Sequence, residues 1–289
     1  RIADLANVSS VVLDGNMNGE ALVLGLSDAV NNVESDDVEI SAFAQNSIVA
    51  FQSTSGNPNV DLTKDGPSNI IEDALGTTTF GAFGDGNDNV LTGDDAANIF
   101  DGGAGADTLI GGGGDDTFVF GDPDTDNGNT ISDGSGNNDF NTGGGDDTLD
   151  LNTAALSNNG TGDSLGTLTG ATGSNALMAG DSLNVIDNTN VDTATITDFD
   201  LSTVSDYLNS NNGETFDAND GDDTIGFTAN DDAFYFAISD GNDTGIFYAD
   251  AARGAATDAI IDADDLVQVV TLTGVSDASS IVAGDFDLS

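Results

Sequence analysis

Seven places along the middle of the chain set a short polar side chain behind a glycine-rich run at constant spacing. Written in nines, the sequence reads GDGNDNVLT from Gly84, GDDAANIFD from Gly93, GGAGADTLI from Gly102 and GGGGDDTFV from Gly111. Residues 120–123 intervene, and the nines resume as DTDNGNTIS from Asp124, DGSGNNDFN from Asp133 and TGGGDDTLD from Thr142. The sixth position is always an amide or a carboxylate: Asn89, Asn98, Asp107, Asp116, Asn129, Asn138 and Asp147. Carboxylates beside turns whose backbone carbonyls are accessible offer oxygen donors only, several to a site. That donor set suits Ca²⁺, whereas Mg²⁺ demands a tighter octahedron.

The elements that must position these groups follow from the same period. Six glycine-rich residues make a turn, and three residues make a very short strand. The eighth position is always apolar (Leu91, Phe100, Leu109, Phe118, Ile131, Phe140, Leu149), so each unit turns one large side chain inward. One such unit cannot bury its apolar face alone, and units must stack to build a continuous core. Two units complete one coil, so unit n is expected above unit n+2, with the turns on one side facing each other. GGAGADTLI and GGGGDDTFV match the Gly-Gly-x-Gly-x-Asp-x-apolar-x nonapeptide of calcium-binding β-helices.

On these motifs residues 84–150 resemble the repeats-in-toxin (RTX) family. The resemblance implies a calcium-loaded parallel β-roll holding several Ca²⁺ ions. It implies side-chain ligands at Asp107, Asp116 and Asp147. Carbonyl ligands would come from Gly102, Gly103, Ala104, Gly105, Gly111, Gly112, Gly113 and Gly114. Asn89, Asn98, Asn129 and Asn138 stand where the family has Asp, so sites there are expected to be weaker or empty. One isolated matching nine, residues 218–226, adds Asp223 in the sixth place with Ile225 inward.

Composition agrees with a chain that needs a cation. The 289 residues hold 52 Asp plus Glu against 3 Lys plus Arg, a formal charge of −49. Self-repulsion of that size opposes a compact state. Only five of the acids are Glu (Glu20, Glu34, Glu39, Glu72, Glu214), and Asp is favoured beside turn backbone or a hard cation. There is no Cys, which removes disulfides, thiolate metal sites and cysteine nucleophiles. There is no His, which removes Ser-His-Asp catalysis and most general-base work near neutral pH. Arg1, Lys64 and Arg253 cannot form a nucleic-acid surface, and the net charge repels nucleic acid and anionic membrane alike. No apolar run approaches the roughly 18–20 residues of a membrane helix.

The flanks read as further β-structure. Apolar runs at 8–13, 20–26, 38–43 and 47–51, bounded by turn residues, are expected strands. Residues 14–19 start like an EF-hand loop, but the twelfth position is Gly25, and a loose turn is expected instead. Residues 56–66 are expected to link. Beyond 150, residues 201–208 have helical spacing behind a potential capping Asp200, 233–238 and 245–249 form a hairpin around 239–244, and 266–273 is the strongest strand. The acidic-apolar end, 283–289, resembles the uncleaved C-terminal signals of RTX proteins exported by type I secretion. The chain opens on Arg1 and Ile2, as a processed or truncated product would.

The fold expected is all-β with little helix: an N-terminal strand segment (1–80), an RTX-type β-roll (84–150) and a β-rich C-terminal region (151–289). No catalytic constellation is visible, so the chain is not expected to be an enzyme. The expected function is a secreted, calcium-dependent structural protein at the cell surface or outside the cell. Its partners would be copies of itself, bridged by calcium into a layer, matrix or filament. The alternative is the calcium-folding and export module of a larger adhesin or exoenzyme.

Overall fold

A computed structural model describes residues 10–12, 21–26, 33–34, 39–41, 48–53, 59–61, 79–93, 96–132, 147–152, 164–169, 182–187, 196–208, 233–250, 253, 261–281 and 285–288. Among these the chain is built of strands, with one α-helix and two single-turn 3₁₀ segments. It divides into two compact units. The first takes in residues 1–121 with 130–139 and 143–149, and the second takes in 122–129, 140–142 and 150–289.

In the first unit the strands are β1 (Ser10–Val12), β2 (Ala21–Leu26), β3 (Val33–Glu34), β4 (Glu39–Ser41), β5 (Ile48–Ser53), β6 (Asn59–Asp61), β7 (Thr79–Phe83), β8 (Val90–Thr92), β9 (Asn98–Asp101), β10 (Thr108–Ile110), β11 (Thr117–Phe120) and β12 (Asn129–Ser132). From β7 onwards they are dealt alternately to two parallel sheets. One runs β2-β5-β7-β9-β11, the other β3-β6-β8-β10-β12. The register puts the eighth positions of alternate units side by side: Leu91 on Leu109 on Ile131, and Phe100 on Phe118. Each of these is buried, as are Ala82 and Leu149. The phenyl rings of Phe100 and Phe118 stack with centroids 5.1 Å apart. β8, β9, β10 and β12 thus each bury one large apolar side chain, as the period requires, while β11 buries both Phe118 and Phe120.

Three features depart from the nine-residue count. Residues 120–123 do not break the register, because Phe120 ends β11 and Ile131 still pairs with Leu109. Strand β13 (Thr148–Leu151), the seventh unit, lies beside β11 of the fourth unit, where the count places the sixth. The sixth unit's Asn138 and Phe140 lie outside the described residues, so the n-over-n+2 rule holds only through the fifth unit. Strand β6 falls within the stretch expected to link. Its single apolar residue, Val60, pairs with Leu91, so the segment is read by the sheet as one more short strand. The turn expected at 14–19 lies outside the described residues.

In the second unit, β14 (Ser164–Thr169), β15 (Ser182–Asp187) and β16 (Ala233–Ser239) run parallel, followed by antiparallel β17 (Thr244–Asp250) and β18 (Leu266–Leu272). The expected hairpin and the strand at 266–273 are therefore present. The hairpin turn is held by Asp240, whose Oδ1 accepts the N–H groups of Asn242 and Asp243 at 2.8 Å, with Gly241 at φ +91°. Helix α1 (Leu201–Leu208) buries Val204, Tyr207 and Leu208 against Phe234, Phe236 and Phe247. The expected periodicity explains that face, and the Asp200 carbonyl accepts the N–H of Val204. The aromatic run is core: every residue of β16 is buried. The acidic-apolar end carries a short strand, β19 (Phe286–Leu288).

Candidate metal centre

Each glycine of the complete repeats has a separate reason. At the first position, a Cβ on Gly84 or Gly93 would overlap the carbonyl of Gly102 or Gly111 in the next coil, and the unit's own sixth side chain, Asn89 or Asn98. At the second and fourth positions, Gly103 (φ +83°), Gly105 (+121°), Gly112 (+103°) and Gly114 (+101°) sit in the left-handed region, which other residues rarely occupy. Ala104 stands between two of them, and its N–H donates to the Asp85 carbonyl of the preceding coil at 3.0 Å. The N–H of Ala106 donates to Asp88 Oδ1 at 3.0 Å. Neither Asp85 nor Asp88 was singled out by the period, because their use depends on which turn lies above them.

The sixth-position groups are buried: Asn89, Asn98, Asp107, Asp116, Asn129 and Asp147. Their geometry gives them a role that residue type alone does not. Asp107 Oδ1 accepts the backbone N–H of Asn89 at 2.7 Å, and Asp116 Oδ1 that of Asn98 at 2.7 Å. Asp147 Oδ1 accepts the N–H of Asp116 at 2.8 Å. The backbone continues two of these links, Thr108 N–H donating to the Asn89 carbonyl and Thr148 N–H to that of Asp116, and Thr130 N–H donates likewise to the Asp107 carbonyl. Each of these three sixth-position carboxylates thus clamps its coil to the one before it. Asn129 is used differently. Its Nδ2 donates to Asp126 Oδ1 at 2.7 Å and to the Val269 carbonyl at 3.2 Å, so the nitrogen of this amide is committed to neighbouring oxygens.

The donor set nonetheless fits a hard cation. Buried carboxylates, amide oxygens and turn carbonyls meet on stacked turns, and no thiol or imidazole competes for another metal. Among the described residues no three acidic side chains converge on one point. An ion between these turns would therefore take most of its oxygens from carbonyls, with Asp107, Asp116 and Asp147 supplying the charge. Asp223 lies outside the described residues.

The surrounding electrostatics are one-sided. Burial pushes the Asp101 carboxyl above its ordinary value, against the opposing pull of the Gly103 N–H. In the second unit, Arg253 pairs with Asp124. The phenols of Tyr235 and Tyr248 are both raised, chiefly by burial, so neither ionises near neutral pH or serves as a base. No helix among the described residues is long and apolar enough to cross a membrane.

The clamp can be separated from charge by substitution. Asp116→Ala leaves the buried N–H of Asn98 without its acceptor, a loss of about 1–3 kcal/mol. Asp116→Asn keeps an oxygen there and should retain most of that stability in melts at one fixed calcium concentration. If the two variants melt together well below the parent, the carboxylate acts through its charge and not through the clamp. No family model matches the chain, and no curated protein matches it either.

Proposed function

We propose that residues 84–150 form a calcium-binding parallel β-roll of the RTX type, and that the chain is a secreted structural protein. In this reading it assembles with copies of itself into an extracellular layer, matrix or filament. The observation that carries the proposal is a run of glycine-shaped turns, stacked coil on coil around buried sixth-position carboxylates, in a chain of charge −49. Calcium acts twice. Between turns it offsets like charge that the three basic residues cannot. Between molecules it bridges acidic surfaces that otherwise keep copies apart. Enzyme function is not proposed, because neither His nor Cys is present and no carboxylate pair stands out.

The acidic-apolar end at 283–289 favours a second reading, in which the chain is the calcium-folding export module of a larger adhesin or exoenzyme. Light scattering followed by negative-stain imaging separates the two. Millimolar Ca²⁺ should produce ordered polymers or sheets that chelator dissolves, while NaCl of equal ionic strength should not, since screening adds no bridging ion. A calcium-loaded chain that stays monomeric at high concentration would favour the export module.

A further inference from the structure

Residues 122–129, which belong to the second unit, carry a chemical signal that the repeat does not explain. Asn-Gly occurs at Asn18, Asn127, Asn159 and Asn212, and of these pairs Asn127–Gly128 falls within the described residues. This dipeptide is open to attack on itself. The glycine backbone nitrogen attacks the asparagine Cγ, and glycine, lacking a Cβ, obstructs that approach least. A bond forms between that nitrogen and Cγ, the Cγ–Nδ2 bond breaks, and the amide hydrogen departs with the side-chain nitrogen as ammonia. Water then opens the cyclic imide at either carbonyl, giving aspartate or isoaspartate. No oxidant, metal or enzyme takes part.

The fold engages both reacting groups elsewhere. The Gly128 N–H donates to the Gln268 carbonyl of β18 at 2.8 Å, so the hydrogen that must leave is committed. Asn127 Nδ2 donates to the Pro123 carbonyl at 2.8 Å, which anchors the side chain to the residue four places back. Gly128 is held in the left-handed region at φ +74°. Two further contacts dock the segment: Asn129 Nδ2 on the Val269 carbonyl at 3.2 Å, and Asp124 on Arg253. Asn127 is only half-buried and Gly128 is exposed, so water reaches the pair. Hydrogen bonding, not exclusion of water, is what restrains it.

We propose that Asn127–Gly128 is a self-modification site gated by the docking of residues 122–129 on β18: docked, it is inert, and undocked, it deamidates. The product adds a carboxylate next to Asp126, in a run that already holds Asp122 and Asp124. The isoaspartate form also adds one methylene to the main chain. The change therefore marks, covalently, a chain that has been open. The inference requires neither calcium binding nor self-assembly.

The full chain, incubated in mildly alkaline buffer with and without denaturing urea, tests it. Residue 127 is followed by mass spectrometry of its proteolytic peptide. Deamidation there should be slower in the native arm by on the order of tenfold or more, because the reaction waits on local opening. Aspartate and isoaspartate should both form. Equal rates in the two arms would overturn the gating, and aspartate alone would overturn the route, since it means direct hydrolysis of the side chain. Native Asn129→Ala, which loses the Asp126 and Val269 contacts, should react at residue 127 faster than the native parent. If that variant does not fold, Arg253→Gln, which removes the ion pair alone, makes the same comparison. A folded variant that reacts no faster than the parent counts against docking as the gate.

Discussion

In excess chelator the chain is expected to give a largely disordered circular dichroism spectrum, and in millimolar Ca²⁺ a β spectrum. The argument is one of charge. Fifty-two acids face three basic groups, and Arg253 already pairs with Asp124. Stacking the coils brings Asp107, Asp116 and Asp147 out of water on successive turns. Their N–H bonds orient them but do not neutralise them. In the proposed reading an ion held between turns would supply that neutralisation, and its binding free energy would become folding free energy. Mg²⁺ at equal concentration should do less, because it gives up its water reluctantly and these turns offer no octahedral cage. A β spectrum that persists unchanged in chelator would remove calcium from the folding argument, leaving the clamps and the core to hold the fold unaided.

Phe118→Ala should be the most damaging single change in the first unit. Phe118 is buried, stacks on Phe100 at 5.1 Å and is one of two inward residues of β11, with Phe120. The repeat spends one large side chain per unit, so its neighbours have little with which to fill the space. A loss of about 3–5 kcal/mol is expected. That is a large share of the roughly 5–15 kcal/mol by which a domain is stable. Denaturant titration in saturating Ca²⁺ measures it. Phe118→Leu, which keeps most of the volume, should lose much less. A Phe118→Ala midpoint within error of the parent would mean that the two sheets do not depend on this layer.

Much of this protein was legible before any coordinate, and the reason is its periodicity. A nine-residue repeat with one apolar position leaves one inward residue per unit, so Leu91, Phe100, Leu109, Phe118 and Ile131 were identified as core by spacing alone. The glycines were legible for the same reason: a six-residue turn closing that tightly needs left-handed backbone, found at Gly103, Gly105, Gly112 and Gly114. Local pattern also sufficed for α1 and for the β16–β17 hairpin, whose partners are near in sequence.

What sequence could not decide is whatever depends on the coil next door. The partner of Asp107 is an amide 18 residues away, and that of Asp147 an amide 31 residues away. Residue type marked both side chains as oxygen donors for a cation. Only stacking reveals that one oxygen of each is committed to the backbone. The seventh unit lies beside the fourth, a strand pairing that counting nines does not give. Strand β6 escaped notice for a related reason: three residues with a single valine carry no signal until β8 stands beside them.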